Sequence, residues 1–136
     1  MTAYSSTPLV KKLGIKSGNR VMLVNAPRSF ADELGQIPED VSFVARLKPG
    51  LDVILFFAAS RRELEDRFEK LSRNLSPSGM LWVAWPKKSS GVETDLSFDV
   101  VQKTGLAAGL VDTKVCAIND IWSGLKFVYR IKDRTK

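Results

Sequence analysis

Gly79-Met80-Leu81-Trp82-Val83-Ala84-Trp85-Pro86-Lys87-Lys88-Ser89-Ser90-Gly91 is the stretch that decides the fold. Residues 80–85 are apolar without interruption, which reads as a strand covered on both faces. It opens directly into a loop of two lysines, two serines and a glycine. A buried strand thus ends in a cationic loop, and the rest of the chain is placed by asking what covers that strand and what reaches its end.

Immediately upstream, Ser60 followed by Glu63 is a capping box. Leu64, Phe68, Leu71 and Leu75 then recur at helical spacing on an otherwise charged segment, and residues 76–79 (Ser, Pro, Ser, Gly) read as the helix stop. Further back, residues 51–58 form another nearly unbroken apolar strand, and Val41, Phe43, Val44 and Leu47 predict one before it, stopped by Pro49 and Gly50. Ser29 caps a short helix carrying Phe30 and Leu34 and ended by Gly35 and Pro38. Residues 21–24 give the first strand. Ser6 or Thr7 before Pro8 predicts an opening helix over 8–13 with Gly14 as its C′ residue.

Downstream of the loop, Thr94 or Asp95 caps a helix with Leu96, Val100 and Val101 inward, closing near 105–109. Residues 111–118 and 125–131 are two closing strands, joined by a turn over 119–124 and therefore antiparallel. Residues 1–5 and 132–136 are expected to fray. Alternating strands and helices predict an α/β, Rossmann-like three-layer domain, its mostly parallel sheet closed by a C-terminal antiparallel hairpin. The element order is similar to that of a shortened class I methyltransferase.

Composition bounds the chemistry. A chain of 136 residues, 44% hydrophobic, buries one core and reads as a single domain. The formal charge of +6 favours anionic partners: phosphorylated small molecules, nucleic acid or an anionic membrane surface; solvation alone is the competing explanation. There is no histidine and Cys116 is the single cysteine, so an intramolecular disulfide, a zinc ligand set and Ser-His-Asp catalysis are all excluded. No apolar run approaches the roughly 18 residues of a membrane span, and the amino end lacks the core of a signal peptide. A cytoplasmic protein is expected.

In open α/β sheets ligands bind beyond the carboxyl ends of the strands. That rule gathers residues 25–30, 60–62, 85–91 and 119–124 on one edge. The first lacks the glycines of a nucleotide-binding turn, and Arg46, Leu47 and Lys48 stand where the second strand of a dinucleotide or S-adenosylmethionine protein would offer an acid. Asn25 and Arg28 are left to orient a ligand. Ser60 and Arg61 open the best helix, where Arg61 and Arg62 oppose the macrodipole and a bound anion would relieve them. Lys87, Lys88 and Ser90 have the composition of a phosphate loop without P-loop spacing. Trp85 and Trp122 could line a pocket, with Asp120 the carboxylate among these cations. Trp82 and Cys116 read as core.

The segments Thr7-Pro8-Leu9, Lys11-Lys12-Leu13-Gly14-Ile15, Leu23-Val24-Asn25-Ala26-Pro27, Trp85-Pro86-Lys87-Lys88, Ser90-Gly91, Thr94-Asp95, Lys114-Val115-Cys116-Ala117 and Trp122-Ser123-Gly124-Leu125 carry a resemblance. Taken together, they resemble a family of small uncharacterised bacterial proteins. The resemblance implies a compact domain and no catalytic assignment. The reading that follows is a binding module for a small anionic or nucleotide-like ligand. Its alternatives are a degenerate S-adenosylmethionine-dependent enzyme and a basic, homo-oligomeric interaction protein that contacts nucleic acid, the last disfavoured by the lack of a groove-reading motif.

Overall fold

A computed structural model describes residues 7–134. The expected fraying of residues 1–5 and 135–136 and the Ser6 cap lie outside the described residues. The sheet runs in the order β2 (Ser42–Phe43), β1 (Arg20–Val24), β3 (Leu51–Phe57), β4 (Leu75–Pro86), β6 (Trp122–Tyr129), β5 (Leu110–Ala117). The first four are mutually parallel, and β6 is inserted antiparallel between β4 and β5. On one face lie α1 (Leu9–Lys12) and α2 (Phe30–Glu33); on the other lie α3 (Arg61–Ser72) and α4 (Phe98–Ala107). This is the three-layer α/β architecture expected, closing hairpin included.

The strand pleat explains how one apolar run serves both faces. Val24, Phe56, Val83 and Leu125 are register partners across four strands, and all belong to the cluster under α3 and α4. Leu55 and Trp82, one residue earlier along their strands, belong to the cluster under α1 and α2. Trp82 is fully buried there, and its Nε1–H donates to the Leu13 carbonyl at 2.9 Å. That bond ties α1 to the centre of the sheet.

Several boundaries differ from expectation for identifiable reasons. Pro8 is itself the cap of α1 and not its first helical residue; Gly14, with φ of 81°, takes the C′ position as expected. The second strand shrinks to two exposed residues, because Val41, Val44 and Leu47 pack from loop positions, each half-buried against one of the clusters. Leu75 leaves the helical stripe to begin β4, and Ser76, Pro77, Ser78 and Gly79 lie within that strand, where the register with β3 slips between Leu51 and Val53. A Cβ on Gly79 would stand 2.7 Å from the Leu51 carbonyl oxygen, so the bulge requires glycine. The helix after the loop starts at Ser97, which accepts from the Val100 N–H; Thr94 and Asp95 serve elsewhere. The closing turn is shorter than expected, since Trp122, Ser123 and Gly124 are already in β6. Among the described residues no helix is long and apolar enough to cross a membrane.

Candidate functional site

After β1 the chain moves outward to β2, then returns to place β3 on the other side of β1. The carboxyl ends of β1 and β3 therefore form the topological switch point, where such sheets hold ligands. Asn25 follows β1 in a left-handed conformation, φ 59°. Its Nδ2 donates to Glu63 Oε2 at 2.7 Å, and the other Glu63 oxygen accepts from the Ala59 N–H at 3.1 Å. The Glu63 N–H in turn donates to Ser60 Oγ at 3.1 Å. The capping box is thus shifted by one residue, with the carboxylate reaching Ala59 and bridging the crevice to Asn25.

The start of α3 carries its own anion as well. The Arg61 N–H donates to Asp95 Oδ1 at 2.7 Å, and Thr94 Oγ1 donates to the Ala59 carbonyl at 2.7 Å. Arg61 Nε pairs with Glu65 at 2.8 Å; that bond pushes the guanidinium above its ordinary range. The macrodipole conflict is answered by acids of the chain itself. Asp95, expected as a cap for the next helix, is the group that meets it.

At the end of β4 the Lys87 N–H donates to the Ile121 carbonyl at 2.7 Å, which fixes the cationic loop against the closing hairpin. Lys88–Ser90 form a 3-10 turn ended by Gly91 at φ 80°. Ser90 Oγ donates to the Lys87 carbonyl at 2.6 Å and accepts from the Val92 N–H at 3.1 Å, so its hydroxyl builds the loop. Lys88 and Arg28 are exposed and Lys87 half-buried. Asn119 Oδ1 accepts from the Ile121 and Trp122 N–H groups, while its Nδ2 donates to Glu33 at 2.9 Å, joining the hairpin turn to α2. Asp120 is exposed beside it. All four expected segments stand at one edge of the sheet.

The paired-tryptophan pocket is corrected. Trp85 is 7% exposed and edge-on to Phe98 at 6.5 Å, in the cluster under α3 and α4. Trp122 is half-buried and edge-on to Phe57 at 5.0 Å, in the opposite cluster. The register explains this: Trp122 opposes Pro86, whose side chain points away from that of its neighbour Trp85. Burial pushes the Cys116 thiol above its ordinary range, in keeping with a packing role. Two larger grooves lie away from the lysine loop: about 500 Å³ between α3 and α4, and about 640 Å³ between α1 and residues 36–39. Neither is lined by Lys87, Lys88 or Trp122.

Sequence reasoning missed Glu63 and Asp95 at this edge. The capping-box spacing pointed to Glu63, but its bond to Asn25 depends on a contact 38 residues apart. Glu63→Ala should lower the unfolding free energy by about 1–2 kcal/mol, because it removes the acceptor for two donors. Glu63→Gln, which keeps one carbonyl, should lose about half as much. Urea titration checks both, and equal midpoints for all three proteins would show that water replaces the latch.

The fold is that of the methyltransferase-like Rossmann proteins, as solved structures show. Precorrin-6y C5,15-methyltransferase from Geobacter metallireducens superposes with a TM-score of 0.60 at 11% identity, covering 90% of this chain and 86% of that one. Fibrillarin from Aeropyrum pernix, with natively bound S-adenosyl-L-methionine, gives 0.59 at 15% identity over 88% and 73%. Magnesium protoporphyrin IX methyltransferase from Synechocystis, also with S-adenosylmethionine bound, gives 0.58 at 10% over 90% and 74%. No curated protein matches by sequence. Residues 47–131 match the family described as protein of unknown function DUF3052, and the chain belongs to that family.

Proposed function

We propose that the protein is a bacterial, cytoplasmic binding module that takes a small anionic or nucleotide-like ligand at the carboxyl edge of its sheet. The observation that carries this reading is the gathering of cations at the carboxyl edge of the sheet: exposed Arg28 beyond β1, and half-buried Lys87 with exposed Lys88 beyond β4. Lys88 and Lys87 meet the ligand's negative charge. Arg28 and Asn25 orient it, and Ser60, Arg61 and Ser90 shape the rim through their intrachain bonds. Trp122 and Asp120 border it on the hairpin side. The module is non-catalytic or weakly catalytic in this reading: the chain has no histidine to act as a general base, and burial pushes its one thiol up.

The second reading is an S-adenosylmethionine-dependent methyltransferase-like protein, favoured by the structural neighbours. Against it stands the Asn25–Glu63 bridge, which fills the crevice with a carboxylate where the first loop also lacks glycine. Isothermal titration separates the two. Adenosine monophosphate should bind at low salt, weaken as salt rises, and bind about tenfold more weakly to Lys88→Ala. Affinity for adenosine monophosphate that is absent, or indifferent to Lys88→Ala, overturns the first reading; S-adenosylmethionine binding that ignores both Lys88 and salt supports the second.

A further inference from the structure

On the α1 side of the sheet one row of register partners crosses five strands: Leu23, Leu55, Trp82, Lys126 and Lys114. The row is apolar as far as Trp82, which lies under Leu13 at the end of α1. Beyond that cover it becomes cationic. The adjacent row, Phe57, Ala84, Gly124 and Cys116, brings the half-buried thiol beside the two lysines. From α1, Lys12 Nζ donates to the Ala117 carbonyl at 3.2 Å, so a third ammonium stands over the end of β5.

The groups placed together by the register and by the Lys12 bond act on one another electrostatically. Lys12, Lys114 and Lys126 each pull the Cys116 thiol downward against the larger effect of its burial. Lys126 is held below its ordinary range first by burial and then by Lys114, with Lys16 adding a further push. Among the described residues no acid pairs with Lys16, Lys114 or Lys126. Like charges directly opposite on neighbouring strands destabilise a sheet, and a half-buried ammonium adds to that cost. An anion seated between them replaces that repulsion with attraction and offsets the cost of the burial.

The arrangement discriminates among anions. Lys12, Lys114 and Lys126 cluster around one point, Cys116, and do not form a stripe along the surface. The rings on this face, Phe30, Phe57, Trp82 and Trp122, are turned into the apolar cluster and offer no platform for stacked bases. We propose that Lys12, Lys114 and Lys126 form a second anion site, distinct from the sheet edge, which takes the adjacent phosphate groups of a di- or triphosphate ligand.

Inorganic tripolyphosphate is the probe. Titrated at low salt, it should bind, and Lys126→Ala should weaken it about tenfold, with Lys126→Arg recovering most of the loss. Lys126→Ala relieves the opposed pair, so the variant should fold. In Lys88→Ala, tripolyphosphate should still slow alkylation of Cys116 as it does in the parent, and in Lys126→Ala it should not, which separates this site from the sheet edge. Cys116 reports the location directly: bound tripolyphosphate neutralises the cations that lower its pKa, so alkylation by iodoacetamide should slow severalfold. Unchanged alkylation, unchanged affinity in Lys126→Ala, or binding of oligouridylate without binding of tripolyphosphate would each overturn the proposal.

Discussion

Gly105→Ala is expected to destabilise the domain by about 2–3 kcal/mol, although helix propensity alone predicts a gain of about 1 kcal/mol from the same change. Gly105 lies inside α4, where alanine is ordinarily the better residue. A Cβ there would stand 2.0 Å from Phe127 Cε1 and 2.4 Å from Cδ1. The ring has nowhere to go, since Phe127 is fully buried and edge-on to Phe68 at 5.3 Å. Either α4 lifts from the sheet or the pair of rings is forced from its rotamers, and both cost more than the propensity returns. Urea titration of Gly105→Ala reads the sign. Phe127→Leu combined with Gly105→Ala should lose less than the sum of the two single changes, because the shorter side chain vacates the space. A stabilised Gly105→Ala protein would mean that the close approach of α4 to β6 is mistaken.

That contact marks a limit of what the sequence reveals. Gly105 read as part of a helix ending, because nothing local tells a glycine that stops a helix from one that lets a ring approach. The strands β1, β3 and the second half of β4 were legible because each carries a nearly unbroken apolar run, and α3 because Ser60 and Glu63 announce it. β4 began earlier than expected, since Leu75 sits at helical spacing from Leu71 and the Ser-Pro-Ser-Gly segment has turn composition. Only pairing with β3 across a bulge keeps those residues extended. The edge strand β2 was overread, as apolar residues can serve a core from loops as well as from strands.

The candidate site was legible as an edge but not as chemistry. Strand direction alone brought Asn25, Arg28, Lys87, Lys88 and the 119–124 segment to one end. The ownership of the capping groups was not legible: Thr94 and Asp95 have N-cap chemistry, and only the fold shows that they are satisfied by Ala59 and Arg61, about a quarter of the chain away. The lysine cluster escaped for a similar reason. Lys12, Lys114 and Lys126 are far apart in sequence, and only the antiparallel register of β5 and β6 puts two of them face to face.

Trp82→Ala should cost about 3–5 kcal/mol, the largest loss expected of any single truncation in this core. Against a total of about 5–15 kcal/mol for a domain of this kind, that leaves little or no folded protein at elevated temperature. Two contributions are combined in it, the buried ring and the Nε1–H bond to Leu13. Trp82→Phe separates them, retaining much of the apolar area while leaving the Leu13 carbonyl without its donor, and should cost about 1–2 kcal/mol. The loss should also be local. With its tie to the sheet removed, α1 frays, and amide exchange at Leu13, Gly14 and Ile15 should accelerate while the β3–β4 ladder keeps its protection. A Trp82→Phe protein as protected at α1 as the parent would show that Leu9, Val10 and Leu13 hold the helix by burial alone. The bond would then matter for placing Lys12 and not for stability, an outcome that the Cys116 alkylation rate would register independently.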